Sequence, residues 1–278
     1  MLNQETRAAL AAKARRLRRM VVTTVHQAGD GHPGPALSCA DIVAALYYRC
    51  MRIDPARPRW EDRDRFILSK GHACTVLYAA LADLGYFPES ALPTFRSLGS
   101  ILQGHPDMNK TPGVDMTSGS LGHGIPVGAG MAAAARLSGR EFRVYTVVGD
   151  GELNEGIVWE GALAAARMGL DKLVAFVDCN GFQSGGTTEE ISGMSRIRER
   201  FEAFGWRCRE IDGHDFDQIV DAVEEARAPT GKPTMILART VKGKGVSFME
   251  NNNDWHKGVP DKDQLARALA DLADGREP

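Results

Sequence analysis

Several things are missing from this sequence, and each absence removes a class of function. Charge of one sign is not in excess: 34 Lys and Arg stand against 36 Asp and Glu, for a formal charge of −2. Neither nucleic acid nor an anionic membrane surface is therefore expected as a partner. No apolar run reaches the roughly 18 residues that a membrane-spanning helix needs. Cysteine is sparse. Cys39, Cys50, Cys74, Cys179 and Cys208 are odd in number and show no CxxC spacing. They suggest neither a disulfide framework nor a zinc site, and a reducing, cytoplasmic compartment is the expectation. There is no GxxxxGK[ST] phosphate loop, no internal repeat, no low-complexity tract and no long linker. Gly122-His-Gly124-Ile-Pro-Val-Gly128 reads GxGxxxG rather than GxGxxG. The Gly-, Ser- and Thr-rich segment before it makes no strand, so the context of a dinucleotide-binding dehydrogenase fails.

What remains is an ordinary globular composition, with 43% hydrophobic and 25% charged residues in 278. Arg15, Arg16, Arg18 and Arg19 are not followed by a secretory-type apolar core, and Glu5 interrupts the positive run. They read as the solvated face of an amphipathic helix over Thr6 to Gln27, ended by Gly29. Ser38 is placed to cap a second helix running to Tyr48, with Asp41 in its first turn. Asp64 to Ser69 reads as a strand, Ala73 to Leu84 as a helix, and Gly99 to Gly124 as mostly loop. Small residues from Gly128 to Ala135 suit a helix lying close on a sheet.

Beyond residue 140 the alternation is regular. Strands are expected at Phe142–Val148, Lys172–Val177, Arg207–Ile211 and Thr234–Ala238. Helices are expected at Gly156–Met168, Arg196–Phe204, Phe216–Ala226 and Gln264–Leu272. This predicts one doubly wound α/β domain over residues 1–278, its mostly parallel sheet covered by helices on both faces.

In such a sheet ligands gather beyond the carboxyl ends of the strands. Two successive strands end there in polar residues: Gly149-Asp150-Gly151, and Asn180 after Val177-Asp-Cys. Asp150 offers a carboxylate and Asn180 an amide oxygen. A backbone carbonyl near Phe182 is a third candidate, and together these hard oxygens suit magnesium shared with a diphosphate. Gly149 and Gly151 let the backbone approach such a group. A strand-to-helix turn in which Asp150 merely caps the next helix would look the same locally. The second strand ending in Asn shifts the balance towards metal.

Gly149-Asp-Gly151 followed by Asn180 is similar to the signature of thiamine diphosphate enzymes. Gly31-His-Pro-Gly34, Ser69-Lys-Gly-His72, Gly104-His-Pro106, the stretch Thr111 to Gly124, and Asp254-Trp-His256 narrow the resemblance to the transketolase family. It runs from about Thr23 to His256 with the motifs in the family's order. The resemblance implies that Asp150, Asn180 and the Phe182 carbonyl hold Mg2+, or another divalent cation such as Ca2+ or Mn2+, on the cofactor diphosphate. It implies that His32 and His256 handle protons at the acceptor carbonyl oxygen. His105 would bond the donor hydroxyls and His72 the cofactor phosphate, roles that suit a group titrating near neutrality. Gly119 and Leu121 match positions touching the aminopyrimidine ring, and Glu155 a glutamate buried at the subunit interface. His26 and His214 match nothing and are read as structural. Ser120, His123 and Cys179 depart from the commoner family pattern, which bears on the substrate rather than on the metal.

The family's pyrimidine-binding domain normally follows this one, and the chain ends at Pro278, too early for a domain of ordinary size. A split transketolase is therefore expected. Its second polypeptide would carry the pyrimidine-binding and C-terminal domains, with two of each chain and the cofactors at the interfaces. The expected reaction transfers a two-carbon ketol unit from a ketose or its phosphate to an aldose or its phosphate, by default in a pentose phosphate role. Specialised versions for branched-sugar phosphates or sulfonated sugars, and a non-catalytic member of the family, are the alternatives.

Overall fold

The computed structural model describes residues 1–273. Helix α1 (Gln4–Ala28) starts where the Asn3 side chain accepts from the Thr6 amide at 2.7 Å, and ends at Gly29, whose φ is +67°. Next come α2 (Pro33–Ser38), α3 (Ala40–Ala45) and a π-type turn over Leu46–Cys50. Then follow β1 (Arg65–Leu68), α4 (Cys74–Asp83), α5 (Gly124–Leu137), β2 (Val144–Gly149), α6 (Gly156–Arg167) and β3 (Leu173–Cys179). A small hairpin, β4 (Phe182–Gln183) and β5 (Gly186–Thr187), leads to α7 (Thr188–Ser192) and α8 (Ile197–Ala203). The described chain closes with β6 (Arg207–Asp212), α9 (Phe216–Ala226), β7 (Thr234–Arg239) and α10 (Lys262–Asp271).

Five strands form one parallel sheet in the order β1-β2-β3-β7-β6. Side chains alternate between its faces. Phe66, Leu68, Tyr145, Val147, Val174, Phe176 and Ile236 pack into one layer with α1, α3, α4 and α9. Ile67, Val144, Val148, Ala175, Val177, Met235 and Leu237 pack into the other with α5, α6 and α8. Being buried on both sides, the inner strands are nearly all apolar, as a parallel sheet requires. The alanines of α5, Ala129, Ala132, Ala133 and Ala135, bring that helix against the sheet. The chain steps from β1 to β3, jumps to the far edge and returns through β6 to β7. Winding therefore reverses between β3 and β7, where an open sheet splays its carboxyl ends and leaves a crevice.

Every predicted strand and the doubly wound plan are present, with ends moved by one or two residues. Three local expectations are corrected. Ser38 caps no helix: its hydroxyl donates to the Asp178 carboxylate at 2.5 Å, it closes a helix that was not expected, α2, and the helix predicted from Ser38 to Tyr48 is α3 followed by the π turn. A partner 140 residues away outweighs the local capping geometry. Beyond α3 the chain widens into the π turn, where the Met51 amide bonds Leu46 O at 2.8 Å. Arg18 is not on a solvated face. It is 3% exposed and forks onto Asp41 at 2.9 and 2.6 Å. No helix among the described residues is long and apolar enough to cross a membrane.

Candidate active site

The carboxyl ends of β2, β3 and β7 open into a cavity of about 500 Å3. Its floor is a buried polar network. Lys70, just beyond β1, pairs with Asp178 in β3, and both are fully buried. Asp178 also accepts from Ser38 and from Thr240. Asp178 is thus satisfied on both oxygens, which is the condition under which a buried ion pair is tolerated. Burial opposes both charges, yet their mutual attraction raises the Lys70 pKa and lowers that of Asp178.

Asn180 sits above this floor. Its amide nitrogen donates to Asp178 at 3.1 Å and to the Ser38 oxygen at 3.3 Å. A carboxylate only accepts, so Asp178 fixes which end of the Asn180 amide is nitrogen. The amide oxygen is left on the other side, where it accepts from the Phe182 amide at 3.1 Å and keeps a second lone pair. Asp150 is 4% exposed. Its two oxygens accept from Gly151 N at 2.8 Å and Gly181 N at 2.6 Å, which aims the carboxylate along the cavity edge. Burial first and the Asp178 charge second push its pKa up to about 6, against the pull of those amides and Lys70. A carboxylate held this reluctantly ionised gains from a cation. Asp150, Asn180 and Phe182 all line the cavity. Among the described residues no three His, Cys, Asp or Glu side chains converge on a metal position. The candidate donors are accordingly one carboxylate, one amide and one carbonyl, a hard-oxygen set.

Gly149 lies open to the cavity, with nothing closer than 3.9 Å to a built Cβ. Gly151 also lines the cavity, but its lost side chain makes room for the β4 hairpin: a Cβ there would meet Gln183 Cβ at 2.6 Å.

Three predicted histidines form a cluster at the cavity mouth. His32, His72 and His256 have ring centroids 5.2 to 5.7 Å apart. Gly34 permits this, because a Cβ there would strike the Trp255 carbonyl at 2.6 Å and force the His256 loop away from α2. His72 and His256 line the cavity; His32 stands behind them with a buried, unpartnered Nδ1. Burial is the main cause that takes His32 down to about 4 and His256 to about 3, with neighbouring cations adding to it. His72 is lowered well below its ordinary value for the same reasons. At neutral pH the imidazoles are therefore neutral, each with one donor and one acceptor nitrogen. His105 is exposed and lies outside the cavity lining, packed beside Gly119 (φ +141°), and its pKa is also lowered, by the partial desolvation of its packed ring face and by Arg96. Leu121 lines the cavity. Glu155 lines its rim and is exposed in this chain.

Besides Lys70, offered by the sequence only as part of the Ser69–His72 motif, Lys242 is a site residue that the sequence did not disclose. Fully buried, it sends its ammonium to Asn253 Oδ1 at 2.6 Å and to His256 Nδ1 at 2.9 Å. With the ammonium donating, His256 Nδ1 accepts and the ring proton lies on Nε2. Burial, then Lys70, lower the Lys242 pKa to about 8. A lysine in Val241-Lys-Gly-Lys-Gly245 reads as a solvated loop; only its place three residues beyond a strand hinted otherwise. Gln183, Ser184, Ile191 and Ser192 also line the cavity, from segments too short to show periodicity. Of the departures, Ser120 is exposed and His123 Nδ1 lies 3.2 Å from the Ser120 and Leu121 carbonyls, while Cys179 faces a separate crevice with Met194 and Leu237. His26 Nδ1 meets the Pro260 carbonyl at 2.7 Å, a structural contact.

Two buried ammonium groups, neutral donor–acceptor imidazoles and a hard-oxygen edge make a site for a polyanion held beside groups that exchange protons.

The family described as "Transketolase, thiamine diphosphate binding domain" matches residues 9–272. The chain is 44% identical over 256 residues to the 6-deoxy-6-sulfo-D-fructose transketolase subunit SqwG of Clostridium sp. (strain MSTE9), covering 92% of this chain and 93% of that protein. It is 42% identical over 266 residues to an apulose-4-phosphate transketolase subunit of Actinobacillus succinogenes, covering 95% and 96%. The transketolase of Leishmania mexicana superposes with a TM-score of 0.90 at 32% identity; 95% of this chain matches 41% of that one.

Proposed function

The chain belongs to the transketolase family through its thiamine diphosphate binding domain, and from that premise we propose that it is the diphosphate-side subunit of a two-polypeptide transketolase. The observation that carries this reading is the cavity edge where Asp150 and Asn180 meet two buried lysines and the histidine cluster. Residues 1–278 act as one domain. The companion polypeptide supplies the pyrimidine-binding and C-terminal domains, two of each chain make the active assembly, and its place is the cytoplasm. Near end-to-end matches to proteins named as subunits support this division. So does Glu155, which is exposed at the cavity rim here and awaits cover.

Thiamine diphosphate, when bound, would supply a carbanion at its thiazolium carbon and an electron sink in the ring. The residues of this chain bind and orient. Asp150, Asn180 and the Phe182 carbonyl hold a divalent cation, Mg2+ first, on the diphosphate. Lys70, Lys242 and His72 all line the cavity and would offer N–H groups and positive charge to the diphosphate. Gly119 and Leu121 flank the aminopyrimidine. His32 and His256, neutral at rest, take a proton from the sugar hydroxyl on a free ring nitrogen and return it from the imidazolium so formed to the carbonyl oxygen. His105, outside the cavity, meets the donor hydroxyls.

The reaction moves a two-carbon ketol unit from a ketose or ketose phosphate to an aldose or aldose phosphate. A specialised form of this activity, on a sulfonated or branched-sugar substrate, is the second reading, favoured by the names of the relatives. The test is co-purification with a pyrimidine-domain polypeptide and assay of ketol transfer. The chain alone should bind the cofactor weakly and turn over no sugar, and Asp150→Ala should abolish metal-dependent cofactor binding. Full ketol transfer by the chain alone, or unchanged affinity in D150A, contradicts the proposal.

A further inference from the structure

His214 lies in the turn between β6 and α9, outside the cavity, and has no part in the chemistry described above. Both of its ring nitrogens are nevertheless committed. Nδ1 is 2.6 Å from Asp41 Oδ2, and Nε2 is 2.9 Å from the backbone nitrogen of Val241. A backbone N–H can only donate, so Nε2 is the acceptor and the proton of the neutral ring sits on Nδ1, facing the carboxylate. Asp41 is itself clamped by the buried Arg18 fork. The ring therefore links a rigid ion pair between α1 and α3 to one amide in the loop after β7.

That amide belongs to the residue before Lys242, the buried ammonium bonded to Asn253 and His256. The residue after it is also tied, by Gly243 N to Gly34 O at 3.1 Å on α2. Lys242 is thus pinned on both sides through its backbone.

We propose that His214 is a positioning residue for the cofactor cavity, setting the Val241–Lys242 turn, and through it Lys242 and His256, for the anionic group the site receives. This rests on the proposed function for the identity of that group. The anchoring of the turn itself does not.

The test compares His214→Ala with His214→Gln in the full chain. Glutamine offers one acceptor and one donor at the spacing of the two ring nitrogens, so it restores the link without a ring. Two readouts are used: hydrogen exchange of the peptides spanning residues 240–257, and the Kd of thiamine diphosphate with Mg2+ by calorimetry. In H214A, exchange should quicken in that segment while α5, α6 and β2 keep their protection, and the Kd should rise about tenfold, the scale of one lost buried hydrogen bond. H214Q should return both towards wild type. Unchanged exchange and affinity in H214A overturns the proposal. So does a weakened Kd in H214Q alongside restored protection. If H214A loosens the whole chain, H214Q decides: protection and affinity near wild type support the link, and a loosened 240–257 segment overturns it. A wild-type chain that binds no thiamine diphosphate defeats the proposed function instead, and the exchange readout still judges the anchoring.

Discussion

Two buried ion pairs flank the carboxyl edge of the sheet, and they do different work. Lys70–Asp178 lies under the cavity; Arg18–Asp41 lies behind the loop that walls it. Both aspartates are satisfied by further donors: Ser38, Thr240 and Asn180 for Asp178, and His214 for Asp41. The cations differ. Lysine is a compact point charge, and beneath the cavity it supplies field to whatever binds above. Arginine grips its carboxylate in a planar fork, and at a distance from the ligand it supplies position. Under the proposed function the first pair acts on the ligand by charge and the second by holding backbone in place.

This contrast can be broken most forcefully at Lys70. Lys70→Met leaves Asp178 charged and unpaired in the interior, which should cost about 3–5 kcal/mol by urea denaturation, together with loss of cofactor binding by calorimetry. Arg18→Met strands Asp41 in the same way and should cost about 3 kcal/mol. Cofactor affinity should fall far less than in the Lys70 variant, and equal losses of affinity would erase the distinction.

A pH series sharpens it further. Burial alone would raise the Asp41 pKa, but the Arg18 charge and the His214 and Arg18 hydrogen bonds hold it down at about 2. A folded value below the unfolded one means that ionised Asp41 stabilises the fold fully above pH ~4, and that this contribution is lost as pH falls towards 2. The stability gap between wild type and Asp41→Asn should therefore shrink by on the order of 2 kcal/mol over that window. A gap constant with pH would contradict it. The smallest effect belongs to the exposed pair Arg198–Glu202, at 2.8 Å on α8. Arg198→Ala should change stability by less than about 0.5 kcal/mol.

Legibility in the sequence followed the range of the interactions. β2 and β3 announced themselves because an apolar run ended abruptly before Asp150 and another at Asp178, two residues short of Asn180. Helix α1 was bounded by its own terminal glycine. Ser38 was misread because its true partner, Asp178, comes from another strand. Arg18 was misread for the same reason: the arginines around it suggest a wet face, and Asp41 becomes its neighbour only when α1 packs on α3. Lys242 could not be told from a surface lysine until β7 was set beside β3. His214 looked structural from sequence, and its contacts agree; what they hold in place was visible only in three dimensions. The histidines of the Gly-His motifs were found by resemblance, and their neutrality follows from burial that no linear pattern records.

The proposed function rests on Asp150 and Asn180 sharing one divalent cation that tethers a diphosphate. The most direct measurement is a crystal structure of this chain with the proposed pyrimidine-domain companion, thiamine diphosphate and Mg2+. An octahedrally coordinated cation is expected about 2.1 Å from a carboxylate oxygen of Asp150, the amide oxygen of Asn180 and the Phe182 carbonyl, with diphosphate oxygens completing the shell. A cation held by other residues, or a diphosphate bound away from the carboxyl ends of β2 and β3, would contradict it.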